Sequence, residues 1–199
     1  MKKRIHLIAE GAEEENFLDI VSLYGLDGDT YELSYENVGG FGKIPARFSY
    51  YFSMERFEYI YLMYDVDNFE TCACLSVMNA LERILGDMKK VEGISLLTNP
   101  NTMQLVASLF FPPDHKIGLK KDMYTPWLKA NFKNFGPKNY GAHQKQREAI
   151  KNGFDADRYE KMLECIGRMS HDYRDYPGSN IYPFLKGLQS KSTKWLYRL

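Results

Sequence analysis

Cysteine is scarce. Three residues, Cys72, Cys74 and Cys165, make an odd set without a regular framework, which excludes a secreted disulfide scaffold. Cys72-Ala-Cys74 is not zinc-ribbon spacing and no second pair exists, so these thiols read as ordinary small buried side chains. Net charge is missing as well. Lys plus Arg and Asp plus Glu both number 26, so global charge cannot steer a polyanion. No apolar run approaches the roughly 18 residues of a membrane span. The basic Met1–Arg4 is followed by an apolar run, Ile5 to Ala9, too short for a signal peptide, and a cytoplasmic protein is expected. No Gly-Lys-Ser or Gly-Lys-Thr occurs, so the chain is not itself a P-loop ATPase. Gly39-Gly40-Phe41-Gly42-Lys43 lacks that pattern and reads as a flexible strand-to-helix loop. No Ser-His-Asp or Cys-His constellation is suggested.

Core-forming residues are plentiful. Apolar residues make up 44% of the 199, with 15 Tyr and 12 Phe. Residues 4 to 9 form a short apolar strand ended by Glu10-Gly11. Phe17, Leu18, Ile20, Val21 and Tyr24 then recur at helical spacing. Residues 30 to 38 alternate as a strand, and 44 to 56 suit a helix with Pro45 in its first turn. Tyr59 to Tyr64 is an unbroken apolar run, as expected of a strand buried on both faces, and it ends in Asp65-Val66-Asp67-Asn68. Residues 72 to 90 read as one helix stopped by Gly93, 94 to 98 as a strand, and 102 to 111 as a helix ended by Pro112-Pro113. This alternation predicts an α/β fold with a mainly parallel four-stranded sheet flanked by helices. Beyond Pro113 the strand signal disappears. Residues 120 to 135, 140 to 152 and 155 to 170 read as helices, 171 to 180 as a polar loop, and 181 to 198 as a last helix or tail. The division expected is therefore 1–113 as the α/β domain and 114–199 as a helical, basic and aromatic extension packed on it.

Ligands of parallel sheets sit outside the carboxyl ends of the strands. Two predicted strands end in acids: Glu10 after the first, Asp65 and Asp67 after the third. Residues two apart on an extended strand point the same way, so Asp65 and Asp67 are expected to share one face. Carboxylates converging there repel unless a cation relieves them, and Mg²⁺ suits hard oxygen ligands. The plainer alternative makes each aspartate a helix N-cap, and Glu13, Glu14 and Glu15 favourable first-turn charges.

The run Ile5-His6-Leu7-Ile8-Ala9-Glu10-Gly11 resembles the first motif of TOPRIM domains, and Tyr61-Leu62-Met63-Tyr64-Asp65-Val66-Asp67 resembles their Asp-x-Asp motif. The likeness is nearest to the RloB-like and overcoming-lysogenization-defect branches, whose further acid four residues after the first Glu matches Glu14. Thr98-Asn99-Pro100-Asn101-Thr102-Met103-Gln104 is similar to the RloB-like segment after the fourth strand, but Gln104 stands where that segment ends in Glu. The resemblance covers residues 4 to 111. It implies a TOPRIM-like sheet and a Mg²⁺- or Mn²⁺-dependent nuclease cutting DNA or RNA, tRNA included, in antiphage defence. Catalytic residues would be Glu10, Asp65 and Asp67, with Glu10, Glu14, Asp65 and Asp67 as metal ligands. A separate ATPase and a homodimer are implied partners. The alternative is a TOPRIM-like module that docks on nucleic acid or an ATPase without cutting, and Gln104 keeps that alternative open. A weaker third reading is a phosphotransferase or nucleotide-binding protein.

Residues 115 to 151 carry many Lys with interleaved Tyr124, Trp127, Phe132, Phe135 and Tyr140. Cations neutralise phosphates and rings stack on bases. The nucleic-acid contacts expected are Lys120, Lys121, Lys138, His143, Lys145 and Arg147. A solvated helical face with its aromatics turned into the core is the competing expectation.

Overall fold

The computed structural model describes residues 1–67, 73–118, 120–133, 135 and 142–199; the side chains of residues 121, 142 and 143 are outside the description, and so is every statement about Lys138. The elements run β1 (Lys3–Ala9), α1 (Ala12–Tyr24), β2 (Tyr31–Asn37), α2 (Ile44–Ser53), β3 (Tyr59–Asp65), α3 (Ala73–Leu85), α4 (Met88–Ile94), β4 (Ser95–Asn99), α5 (Met103–Ala107), α6 (Lys121–Asn131), α7 (Ala142–Asn152), α8 (Ala156–Ile166), β5 (Gly178–Ser179) and α9 (Tyr182–Leu188). The sheet order is β2-β1-β3-β4-β5. The first four strands are mutually parallel, and β5 pairs antiparallel with β4. The α/β class and the parallel sheet are as expected. The fifth strand is not: two residues from the C-terminal half complete the sheet.

The unbroken apolar runs behave as their physics requires. β3 is buried at six consecutive positions and β4 at all five, so helices cover both faces. α1 packs with α7 and α8, while α2 packs on α3 and β1. His6 is a core residue, stacked on Phe57 at 4.0 Å and hydrogen-bonded through Nδ1 to Ser34 Oγ at 2.9 Å. The expected helix over 72–90 is two helices. Gly86 at φ 70° breaks the chain between them, and Gly93 lies inside the second rather than after it.

Strand order places the functional region. From β1 the chain crosses to β2 on one side; from β3 it crosses to β4 on the other. The crevice of such a sheet opens where the order reverses, between the carboxyl ends of β1 and β3. Ala9 pairs with Met63 there, so Glu10 and Asp65 arrive side by side.

The opposite end is closed by the C-terminal segment. Trp195 Nε1 donates to Tyr31 Oη at 2.8 Å, Tyr197 N donates to Tyr61 Oη at 2.8 Å, and the Tyr197 ring lies against Gly93. A Cβ at Gly93 would stand 2.6 Å from that ring. Gly93→Ala gains helix propensity worth about 1 kcal/mol. The clash costs about 1–3 kcal/mol and wins, because the Tyr197 backbone that carries the ring is tied to Tyr61 Oη. Urea denaturation should show net destabilisation; an unchanged or raised midpoint would mean that the strap yields freely.

Candidate metal centre

Glu10 follows β1 directly. Its N–H donates to Met63 O at 2.9 Å, its carbonyl accepts from Gly40 N at 2.7 Å, and its Oε2 accepts from Asp65 N at 3.1 Å. The side chain is thereby held across the strand gap against the end of β3. Asp65 is fixed from the third side. Thr102 N and Thr102 Oγ1 both donate to Asp65 Oδ1 at 2.8 Å. Glu14 sits at the third position of α1 and reaches back, so that Gly11 N donates to its Oε2 at 2.8 Å, one half of a capping box. Its other oxygen, Oε1, is buried without a hydrogen-bond partner although Glu14 is only 2% exposed.

Asp67 reaches the same crevice by a different route from the one expected. β3 ends at Asp65, and Asp67 has φ 53°, so strand alternation does not extend to it. Val66 N and Asp67 N donate to Thr98 O at 2.9 Å and Pro100 O at 2.8 Å, which ties the turn to the loop after β4. The left-handed backbone costs Asp less than most residues, and it turns the exposed side chain to the mouth of the crevice. Glu10, Glu14, Asp65 and Asp67 all line one cavity of about 260 Å³.

Three further residues belong to this cavity. Asn101 lines it with Oδ1 buried and unpartnered at 2% exposure. Glu13 and Tyr124 close one side, Tyr124 Oη donating to Glu13 Oε1 at 2.7 Å from α6. Asn101 and Thr102 were visible only as part of the segment after β4; β4 lies next to β3, and that neighbourhood was the signal. Tyr124, expected among the rings interleaved with lysines, faces the acids.

The carboxylates raise one another. Burial, then the charges of Glu14, Asp67 and Glu13, push Glu10 from 4.5 to about 7 against the opposing Asp65 N–H. Glu14 is raised by burial, against the lowering effect of the Thr102 side chain, and raised further by Glu13. Asp65 is raised well above the carboxylate range by burial, then by Glu14, Glu13 and Glu10. Among the described residues, no group of three or more His, Cys, Asp or Glu is already gathered as a metal cluster. The donor set nonetheless fits a hard cation: carboxylates that repel, and two buried oxygens that nothing satisfies.

Sign and window follow for stability. Folded Glu10 holds its proton up to about pH 7, whereas the unfolded chain releases it near 4.5. The folded state binds more protons in that window, so stability falls as pH rises from about 4.5 through 7. At about 1.4 kcal/mol per unit the loss from Glu10 alone is about 3 kcal/mol. Urea denaturation in EDTA at pH 5.0 and 7.5 should show it, and millimolar Mg²⁺ should recover much of it at pH 7.5. Equal stabilities at both pH values, untouched by Mg²⁺, would remove the electrostatic case for a cation.

Gln104 does not face the cavity. It is 1% exposed; its Nε2 donates to His115 O at 2.6 Å, and its Oε1 accepts from Ile117 N at 3.1 Å. The residue that departs from the RloB-like pattern is thus a clamp on the 115–117 backbone.

The basic half is divided. Lys120 and Lys145 are exposed. Arg147 is engaged: its Nε and Nη2 donate to the Asp19 carboxylate, the latter at 2.6 Å, and Nη1 lies 2.8 Å from Glu15 Oε1. It fastens α7 to α1. For Lys121 and His143 the side chains, and for Lys138 the whole residue, lie outside the described set. Tyr124, Trp127 and Phe132 turn inward, Trp127 and Phe132 against Phe110, so the rings serve the core. Tyr140 is outside the described residues.

No family model, no curated protein and no solved structure matches this chain. Among the described residues no helix is long and apolar enough to cross a membrane.

Proposed function

We propose that the chain is a metal-dependent phosphodiester hydrolase of TOPRIM type acting on DNA or RNA. The observation that supports it most directly is the acidic crevice at the reversal point of the sheet, with Glu14 Oε1 and Asn101 Oδ1 buried there and unpartnered. Glu14, Asp65, Asp67 and Asn101 would hold Mg²⁺ or Mn²⁺. When bound, the cation supplies stabilisation of charge building on a phosphate oxygen. Thr102 orients Asp65 through its two donors. Glu10, held by Asp65 N–H at the mouth of the strands, would exchange a proton with the attacking water or the leaving oxygen. Exposed Lys120, next to α6 and Tyr124, would meet the phosphate backbone.

The test is incubation of the purified chain with Mg²⁺ or Mn²⁺ and, separately, plasmid, single-stranded DNA and tRNA. Cutting that EDTA stops is the expected result. One observation favours the second reading, a TOPRIM-like module that binds nucleic acid or an ATPase without cutting: the carboxylates are not yet gathered as a metal cluster. Binding without metal-dependent cutting of any of the three substrates would decide for that reading.

A further inference from the structure

A cavity of about 860 Å³ lies at the other end of the sheet. Its walls include Arg4 at the start of β1, Arg56 and Phe57 just before β3, Phe52 at the end of α2, and Arg198. β1 is seven residues long. At about 3.3 Å per residue, this cavity is about 20 Å from the acidic crevice. It shares no residue with that crevice.

Several arginines elsewhere are taken up by carboxylates: Arg47 by Glu36, Arg147 by Asp19 and Glu15, Arg174 by Asp172 and Glu92. Arg4, Arg56 and Arg198 are in no ion pair among the described residues. Glu58, which also borders the cavity, is ion-paired with Lys3 Nζ at 2.8 Å, with Arg198 as a lesser neighbour. Arg4, Arg56 and Arg198 are exposed on this wall and outnumber its side-chain carboxylates, Glu55 and the Lys3-paired Glu58, so the concavity keeps a positive excess that an anion can meet. Arg56 is pre-set for that task. Its guanidinium lies 5.6 Å from the ring centroids of both Tyr51 and Phe57, within cation–π reach of each. Arg198 is placed by the anchored strap described above, one residue after Tyr197, whose N–H is bonded to Tyr61.

An anion alone does not account for the apolar part of the wall. Phe52, stacked on Phe48 at 5.5 Å, is still 39% exposed and borders the same cavity as the arginines. Forked cations beside an open aromatic ring match a phosphate joined to a flat base. The volume lies within the range of about 300–1,000 Å³ usual for small-ligand sites.

We infer that the cavity between Arg4, Arg56, Arg198 and Phe52 binds a nucleotide unit, its phosphate on the guanidiniums and its base against Phe52. This site is independent of the metal centre and of the hydrolase reading.

Calorimetric titration of the full chain in EDTA, where no cutting can occur, tests it with AMP, adenosine, inorganic phosphate and a single-stranded 12-mer as probes. AMP should bind at least tenfold more tightly than adenosine or phosphate. The Arg4→Gln/Arg198→Gln double variant should weaken AMP binding at least tenfold, and Phe52→Ala severalfold, while Asp65→Asn leaves it unchanged. A 12-mer that binds more tightly than AMP, and loses that affinity in the double variant, identifies the source as a strand; equal affinities identify a free nucleotide. Absence of heat with both AMP and the 12-mer overturns the inference, as does phosphate binding as tightly as AMP, or AMP affinity unmoved in the double variant. Neither Arg4 nor Arg198 is seated on a ring or paired, so thermal unfolding of the double variant should match the parent. If it does not, Arg56→Lys carries the test, since it keeps charge and stem but loses the planar fork.

Discussion

Asp65→Asn should lower Mg²⁺-dependent cleavage by at least about a hundredfold while making the metal-free protein more stable. The two effects have one cause. Asparagine has the same shape and keeps an Oδ1 to accept from Thr102 N and Oγ1, so the loop after β4 stays in place. What it removes is a half-buried charge whose ionisation is opposed first by burial and then by Glu14, Glu13 and Glu10. Without a cation that charge is a liability, and its removal stabilises by about 1–2 kcal/mol at pH 7.5. With a cation it is an anchor. The measurements are a plasmid-nicking or RNA-cleavage assay and thermal unfolding in EDTA. Cleavage within threefold of the parent would strip Asp65 of its role. Asp65→Ala is the poorer probe, because it leaves both Thr102 donors unpaired and mixes a folding defect with a chemical one.

The carboxylates that matter were legible because parallel strands must be buried on both faces. A run such as Tyr59 to Tyr64 that ends abruptly in Asp65 marks the point where the chain leaves the core, and polar groups there face the ligand side of the sheet. Asn101 was hidden because nothing in a loop sequence tells which oxygen will be left unpaired. The joint pointing of Asp65 and Asp67 rests on strand alternation that stops two residues before Asp67; a left-handed backbone brings Asp67 to the crevice instead. β5 could not be read from periodicity. It has two residues, and side chains hold its neighbourhood to β4: Ser179 Oγ donates to Leu97 O at 2.8 Å, and Asn180 Oδ1 accepts from Leu97 N at 2.7 Å. The break between α3 and α4 is masked by an apolar stripe that continues through Leu85 and Met88 while Gly86 turns the backbone. Arg147 shows the limit of counting cations: a basic helix next to an acidic one spends its charge inside the protein first.

Gln104→Glu is the substitution that would restore the acid of the RloB-like pattern, and it should damage the protein instead of improving it. The buried amide makes one bond as donor, to His115 O, and one as acceptor, from Ile117 N. An ionised carboxylate can only accept. It would set an oxygen against the His115 carbonyl in a site 1% exposed, leaving that carbonyl without its donor and burying a charge. The expected cost is about 2–5 kcal/mol near pH 8. Protonation relieves it, because a carboxylic acid can donate to His115 O. The folded-state carboxyl is therefore raised above its unfolded value, and the loss grows as pH rises. Urea denaturation at pH 5 and pH 8 should show the larger defect at pH 8. Cleavage should not increase. The clamped segment leads to Gly118, whose carbonyl accepts from Asn101 Nδ2 at 3.5 Å, so loosening it disturbs Asn101, which lines the cavity. A Gln104→Glu protein as stable as the parent and faster at cutting would refute the clamp, and would make position 104 a metal-ligand position that this chain fills with a weaker group.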